Sequence, residues 1–192
     1  MKPSVILMGS KPGSVVALEI LLERGWNVKA VVVSRKHTYS WIDGPILEKF
    51  AKKNHLKIYL QNELPEDLVA DFVISYMYRY LVKPKVLNKA RRAAVNFHAA
   101  PPPGFCGWAF YNVAILEKVN EYGCTCHYMD EGFDTGPLLE VRKFPINPIE
   151  ETAVSLEKKA QLEMIKLFSE FCTIAEGNGP LPRIPQRKKN MR

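Results

Sequence analysis

The sequence predicts an α/β protein with a mostly parallel central sheet flanked by helices. In the first half of the chain, short apolar runs alternate with segments of helical periodicity. Several of these runs are apolar on both faces, which is typical of parallel strands covered by helices on both sides. The length of 192 residues favours a single domain.

The first half contains five predicted strands and two predicted helices. The strands cover residues 5–8, 28–33, 57–60, 71–76 and 93–97. The first helix begins at Ser14 and ends at Gly25, with leucine and valine side chains along one side. The second covers residues 45–53, with proline in its first turn. This order of elements favours a parallel sheet.

The second half is predicted to contain two helices and a pair of strands. A helix covers residues 108–118, and strands over 123–129 and 138–144 are joined by a polar loop. A long amphipathic helix follows over residues 152–175. Its apolar stripe is predicted to be core: Leu156, Ala160, Met164, Leu167, Phe168 and Phe171.

The positive charge of the chain is concentrated at its end. The net charge is +7, and residues 183–192 contain five basic and no acidic side chains. We therefore expect one catalytic domain over residues 1–182 and a flexible basic tail over 183–192. A solvated, frayed end is preferred to a nucleic-acid-binding arm.

The sequence indicates a cytoplasmic protein without a membrane partner. Its apolar runs are far shorter than the roughly 20 residues that span a bilayer, and no secretory signal is readable. The four cysteines are interpreted as buried thiols of a reducing compartment. No metal is predicted, because Cys124, Cys126 and His127 lack a second ligand pair at usable spacing.

Three polar loops follow predicted strands, where ligands of open α/β sheets bind. They cover residues 9–14, 96–107 and 130–136. The first is similar to a phosphate-binding turn, but Pro12 removes a backbone amide. We therefore interpret it as a plain strand-to-helix turn.

The second and third loops carry the residues of most chemical interest. Asn96 and His98 lie two apart at a strand end, so both project from one side. An amide and an imidazole can stabilise an oxyanion and move a proton, although a hydrogen-bonded loop anchor is an equal alternative. Asp134 by default forms a turn, but facing His98 it would raise the pKa of the imidazole. These residue types include no strong nucleophile, which favours direct transfer through a tetrahedral intermediate.

Together these residues resemble a known family. Asn96-Phe-His98, Pro103, Gly107 and the segment 128–137 are similar to the folate-dependent formyltransferases. That family includes glycinamide ribonucleotide transformylase, methionyl-tRNA formyltransferase and the sugar N-formyltransferases. The resemblance implies a Rossmann-like formyltransferase fold and N10-formyltetrahydrofolate as the formyl donor. It assigns catalysis to Asn96, His98 and Asp134.

The resemblance also assigns binding residues. The segment 76–82 is similar to the pteridine-pocket segment, and the loop 130–134 would close the other side. The implied folate-binding residues are Met77, Tyr78, Arg79, Tyr80, Leu81, Asp130, Gly132 and Phe133. Pro103, Trp108 and Tyr111 would line the acceptor pocket, with helix packing as the alternative for the two aromatic residues. Cys106 stands where many members have an arginine. The resemblance therefore does not say what binds the substrate or donor group that this arginine would contact.

The expected acceptor is the primary amine of a nucleotide-linked amino-deoxysugar. The segments 127–136 and 180–186 are most similar to the sugar branch. Phosphoribosylglycinamide ranks second, because loop 9–14 lacks an asparagine and contains proline. Transfer RNA ranks last, because no second barrel is expected and the basic tail lacks aromatic residues. A catalytically idle folate-binding domain and a formyltetrahydrofolate hydrolase remain alternatives, and a homodimer is one option for the assembly.

Overall fold

A computed structural model describes residues 2–34, 43–102, 104–105, 110–177 and 179–186. Each predicted strand corresponds to an observed strand, with bounds that differ by up to three residues. The strands are β1 (Ser4–Gly9), β2 (Asn27–Val32), β3 (Ile58–Tyr59), β4 (Ala70–Tyr76), β5 (Ala90–His98), β6 (Glu121–Tyr128) and β7 (Leu138–Pro145). The main extension is at the start of β5, where the backbone carbonyl of Lys89 accepts a hydrogen bond from the amide of Ala70. The pairing of β4 with β5 therefore begins earlier than predicted.

Five α-helices accompany the strands in the described residues. They are α1 (Gly13–Glu23), α2 (Leu47–Lys53), α3 (Pro84–Leu87), α4 (Phe110–Leu116) and α5 (Ala153–Glu176). The sequence did not predict α3 or the 3₁₀ turn Gln61–Glu63, because one turn shows no apolar periodicity. Helix α5 begins at the Thr152 cap, whose hydroxyl accepts the amide of Ser155 at 3.1 Å.

The seven strands form one mixed sheet in the order β3-β2-β1-β4-β5-β6-β7. The first five pair in parallel, whereas β6 and β7 are antiparallel to their neighbours. This confirms the predicted fold class of a mostly parallel sheet with helices. The strand order reverses between β1 and β4, which creates the crevice where ligands bind in such sheets.

The sheet separates two clusters of buried apolar side chains. The larger lies on the face covered by α1 and α5, and it contains all six residues of the predicted α5 stripe. The smaller lies on the opposite face with Ile6, Met8, Val32 and Val73. Because successive side chains alternate across a strand, β5 sends Val95 and Phe97 into the larger cluster and Asn96 and His98 to the other face.

Helix α5 also buries a charge that its apolar pattern does not indicate. Glu157 has a fully buried side chain, and its Oε1 atom lies 2.6 Å from Nζ of Lys11 in the loop after β1. The side chain of Gln161 donates to the same carboxylate oxygen at 3.1 Å. This ion pair joins the loop that follows β1 to the helix that closes the fold.

The segment after α5 returns to the sheet. Ile184 exchanges two backbone hydrogen bonds with Leu138 at the start of β7, at 2.7 and 2.8 Å. The guanidinium of Arg183 lies 4.6 Å from the centre of the Tyr128 ring. Ordered contacts therefore continue to Gln186, beyond the boundary expected at residue 182, while residues 187–192 lie outside the described residues.

Within the described part of the chain, no helix is both long and apolar enough to cross a membrane. Cys124, Cys126 and Cys172 are buried free thiols, as predicted, and Cys106 lies outside the described residues. Burial raises the pKa of Cys124 and of Cys172 to about 12, so both thiols stay protonated at neutral pH. These cysteines pack in the core and are poor nucleophiles.

Candidate active site

Asn96 and His98 lie at the carboxyl end of β5, on the face of the sheet that carries the smaller core. Both predicted residues therefore face the same side, as their spacing of two requires. His98 is buried, and its Nε2 atom lies 3.1 Å from the carbonyl oxygen of Phe105, to which it donates. The Phe110 ring meets the imidazole edge-on, 4.8 Å away between ring centres. These two contacts fix the orientation of His98.

Asp134 reaches the same place from the loop between β6 and β7. Its φ of 55° lies in the left-handed region, which is uncommon for a residue other than glycine. Two residues later the chain passes close to β6, because a Cβ atom added to Gly136 would lie 2.0 Å from the carbonyl oxygen of Tyr128. Glycine at this position therefore permits the path that returns Asp134 to β5.

The structure brings the three predicted catalytic side chains together. Oδ1 of Asp134 lies 3.2 Å from Nδ2 of Asn96, and its Oδ2 lies 3.7 Å from Nε2 of His98. The geometry required by the sequence-based hypothesis is therefore present. It places an amide, an imidazole and a carboxylate around one point.

His127 is a fourth member of the cluster that the sequence reasoning missed. It is buried opposite Asn96 in the β5–β6 pair, and its Nε2 atom lies 3.2 Å from Nδ2 of Asn96 and 3.3 Å from Oδ1 of Asp134. Its Nδ1 atom donates to the carbonyl of Tyr128 at 2.8 Å, so in a neutral ring Nε2 is an acceptor. The signal that could have found it is the antiparallel pairing of β5 and β6, which places the residue opposite Asn96 on the same face.

The electrostatic balance at His98 differs from the sequence-based expectation. Burial lowers the pKa of His98 below its ordinary value of 6.5, and the nearby Asp134 carboxylate raises it only in part. The net direction is therefore downward, whereas the sequence led us to expect a raised value. The reason is that the sequence indicates the carboxylate but not the loss of solvent around the ring.

The side-chain amide of Asn96 already uses its nitrogen in two hydrogen bonds, whereas its oxygen has none. The Nδ2 hydrogens of Asn96 point to Asp134 and His127, at 3.2 Å each. Its Oδ1 atom is buried without a hydrogen-bond partner among the described residues. A buried acceptor left unpaired is costly, so a donor from a bound molecule would stabilise this site.

The predicted folate-binding segment follows β4 at the carboxyl edge of the sheet. Met77 has a φ of 51° and donates its amide to the carbonyl of Phe97 at 3.2 Å, which turns the chain away from the sheet. The Tyr78 and Tyr80 rings then pack edge to face, 5.8 Å between centres, and Arg79 stacks 5.4 Å from the centre of Tyr80. Tyr80 and Leu81 expose more than a third of their surface, so this segment offers apolar side chains beside the site.

The loop 130–136 carries the other predicted folate contacts. The carboxylate of Asp130 accepts the amide of Gly132 at 3.0 Å and the hydroxyl of Thr135 at 2.5 Å, so it organises the loop. Phe133, directly before Asp134, is 55% exposed. An exposed phenyl ring next to a buried carboxylate suits a flat aromatic ligand.

The expected acceptor residues divide into two groups. Pro103 and Trp108 lie outside the described residues. Tyr111 lies in the core, 4% exposed, where its ring packs against Phe110 and Tyr122 and below the ammonium of Lys11. This burial matches helix packing, the alternative stated for the aromatic residues, and Tyr111 presents no surface to a ligand.

Taken together, the fold and the site define an α/β protein with a ligand crevice at its strand reversal and a partly buried amide–imidazole–carboxylate cluster beside it. No group of three or more His, Cys, Asp or Glu side chains in the described ranges is arranged to hold a metal ion. Such a cluster can bind a carbonyl compound and move protons around it.

Comparison with known proteins gives the family. Residues 13–171 match the formyl transferase family, and the chain belongs to it. The chain is 28% identical to methionyl-tRNA formyltransferase of Enterococcus faecalis, over 95% of its own length and 62% of that protein. The chain therefore spans about three fifths of the length of this relative.

Solved structures support the same assignment. An N-formyltransferase from Helicobacter canadensis, in complex with folinic acid and dTDP-3-aminofucose, is 25% identical with a TM-score of 0.80 over 95% of this chain and 67% of that one. Phosphoribosylglycinamide formyltransferase from Bacillus halodurans shares the fold, with 22% identity and a TM-score of 0.71 over 91% and 96% of the two chains. The predicted family is therefore confirmed.

Proposed function

We propose that this protein transfers the formyl group of N10-formyltetrahydrofolate to the primary amine of a small acceptor. The observation that carries the proposal is the convergence of Asn96, His98 and Asp134 at one buried point of a formyl transferase fold. The folate supplies an activated formyl carbon. The overall change is the formation of one C–N bond to the acceptor, the breaking of one to the folate, and the transfer of one proton between the two nitrogens.

Proton movement is assigned to His98 and Asp134. Because burial lowers the pKa of His98, the neutral imidazole is favoured, and this form can take a proton as the acceptor amine attacks. The carboxylate of Asp134, 3.7 Å away, stabilises the imidazolium that forms. The same proton is then available for the departing nitrogen.

Asn96 is assigned to binding around the formyl carbon. Its unpaired Oδ1 atom would accept from the incoming amine, whereas one Nδ2 hydrogen would turn from Asp134 to the developing oxyanion. Both Nδ2 contacts are 3.2 Å long, at the upper end for such bonds, so an exchange of partners is inexpensive. Losing a donor to an oxyanion typically costs about 2.7–4 kcal/mol.

The proposed folate contacts come from the segment 77–81 and the loop 130–134. The exposed rings of Tyr80 and Phe133 and the Leu81 side chain would cover the apolar faces of the pterin. Backbone groups of these loops would supply its hydrogen bonds. In this proposal Asp130 acts through the shape of its loop, because its carboxylate is already bonded to Gly132 and Thr135.

The proposed acceptor is the amine of a nucleotide-linked amino-deoxysugar. Support comes from the Helicobacter canadensis enzyme, whose structure holds such a nucleotide sugar and superposes with a TM-score of 0.80. The second candidate is the aminoacyl group of methionyl-tRNA, favoured by the sequence relative that acts on it. Phosphoribosylglycinamide ranks below both, because its formyltransferase matches this chain at 22% identity, which shows a shared fold alone.

An acceptor screen tests the proposal. The protein is incubated with N10-formyltetrahydrofolate and, in turn, with dTDP-amino-deoxysugars, methionyl-tRNA and phosphoribosylglycinamide. We expect the mass of a dTDP-aminosugar to increase by one formyl group, and His98→Ala to lower turnover at least about tenfold, or roughly 1.4 kcal/mol. Formylation of methionyl-tRNA alone would select the second candidate. Formate release without any formylated acceptor would indicate a hydrolase, and folate binding without turnover an idle domain.

A further inference from the structure

Gln186 contacts the loop that carries Asp134, although it follows the last helix by ten residues. Its Nε2 atom donates to the carbonyl oxygen of Asp134 at 3.0 Å and to that of Gly136 at 2.6 Å. One side-chain amide therefore bridges two carbonyls on either side of Thr135. Both bonds are to backbone atoms, so they constrain the path of the loop.

The loop needs such a constraint. Asp134 holds a left-handed backbone conformation, with φ at 55°, that an aspartate adopts only at a cost. Oδ1 of this residue must nevertheless stay within 3.2 Å of Asn96 for the catalytic cluster to exist. Contacts from outside the loop have to stabilise this conformation. Gln186 makes two of them, one at Asp134 and one at Gly136.

The segment around Gln186 is itself anchored. Ile184 forms two backbone hydrogen bonds with Leu138, the first residue of β7. Arg183 stacks on Tyr128, the last residue of β6, 4.6 Å from the ring centre. These contacts attach the segment to both ends of the loop 129–137. The side chain of Gln186 is therefore presented to the loop from a fixed support.

We propose that Gln186 is a positioning residue for Asp134: its amide clamps the backbone of residues 134 and 136 and so keeps the carboxylate at Asn96 and His98. This inference rests on the proposed function for its catalytic consequence, but the clamp on the loop can be measured without activity. Gln186 itself touches no reacting atom in this assignment. Its loss should therefore lower kcat more than it changes KM.

Two substitutions and one control test the clamp. Gln186→Ala removes both hydrogen bonds, and Gln186→Glu keeps the size but places a carboxylate against two carbonyl oxygens. Asn54→Ala is the matched control, because its side-chain amide also donates to a backbone carbonyl, that of Phe50, at the end of α2. We measure hydrogen exchange of residues 130–136, melting temperature, kcat and KM for the wild type and the three variants.

We expect Gln186→Ala to exchange faster in residues 130–136 at an unchanged melting temperature, and kcat to fall about tenfold with KM within about twofold. Gln186→Glu should be worse at neutral pH and should recover in part relative to the wild type as pH falls toward about 4.3, where a protonated carboxyl donates to one of the two carbonyls. Such a recovery cannot come from a misfolded chain. Asn54→Ala should match the wild type.

Unchanged exchange in residues 130–136 of both Gln186 variants would overturn the proposal, as would kcat within about twofold of the wild type in an active protein. An inactive wild type would instead contradict the proposed function. In that case the exchange measurement alone decides whether Gln186 holds the loop.

Discussion

The Nε2 atom of His127 lies 3.3 Å from the Oδ1 atom of Asp134, closer than His98 comes to the same carboxylate. In a neutral ring the same nitrogen accepts from Asn96, whose amide also donates to Asp134, so His127 is linked to the carboxylate through Asn96. Its own Nδ1 is held by the carbonyl of Tyr128. The position of Asp134 therefore depends on β6 as well as on its loop.

Replacing His127 by phenylalanine should lower kcat about tenfold and leave both KM values within about twofold. Phenylalanine keeps an aromatic ring here, slightly larger than the imidazole, but Asn96 loses its acceptor and Asp134 loses a polar neighbour. Steady-state kinetics checks this expectation, with circular dichroism to confirm the fold. A kcat near that of the wild type would show that His127 only fills space.

The pKa of His98 gives a prediction that needs no substrate. Because burial lowers it and Asp134 opposes that effect, the imidazole should titrate below 6.5, and Asp134→Asn should move the midpoint further down. Ring signals of His98 followed by NMR against pH report the midpoint in the wild type and in the variant. An upward shift in Asp134→Asn would contradict the assigned role of the carboxylate.

Gly136 should not tolerate a side chain. The methyl group of alanine would lie 2.0 Å from the carbonyl oxygen of Tyr128, a backbone atom that cannot move without disturbing β6. We expect Gly136→Ala to displace Asp134 by about 1 Å and so to lower the proposed formyl transfer about 100-fold. Gly179→Ala is the control, since nothing lies within 4 Å of its added methyl group. Equal activity of Gly136→Ala and Gly179→Ala would show that the close approach at Gly136 does not control the position of Asp134.

Removing a charge from the ion pair of Lys11 and Glu157 should lower the stability of the fold more than removing one from an exposed pair. Glu157→Gln removes the counter-charge of an ammonium whose side chain is 15% exposed, and we expect the free energy of unfolding to fall by about 3 kcal/mol, the lower end for a buried pair. The double variant Lys11→Met, Glu157→Leu should lose much less. Urea unfolding measures these changes. Glu121→Gln, which breaks an exposed pair with Lys143, is the control and should cost about 0–1 kcal/mol.

The C-terminal end of α5 predicts how stability responds to acid. Hydrogen bonds from Arg24, Lys2 and Trp26 lower the pKa of Glu176 from 4.5 to about 2. The carboxylate therefore stabilises the fold above pH 4.5, and this contribution is lost as pH falls toward 2. Glu176→Gln should be less stable than the wild type at pH 7 and nearly equal to it at pH 2. If the difference in stability between Glu176→Gln and the wild type stayed constant from pH 7 to pH 2, the titration of Glu176 would not be its cause.

Much of the fold could be predicted from local patterns. The strands were located because apolar runs such as that of β1 end at loops rich in glycine and proline. The burial of Leu156 and Phe168 followed from helical periodicity. The short helix α3 was missed because one turn leaves no periodic signal, and buried Glu157 was missed because its counter-charge comes from Lys11, far away in the sequence.

The sequence by itself determined the fold class and the family and predicted the three site residues Asn96, His98 and Asp134, because local periodicity and chemically distinctive motifs are present along the chain. Only the tertiary structure decided that His127 and Gln186 contact this cluster, and that burial lowers the pKa of His98. Those facts depend on strand pairing, on the return of the C-terminal segment and on the exclusion of water, which arise between segments distant in the sequence.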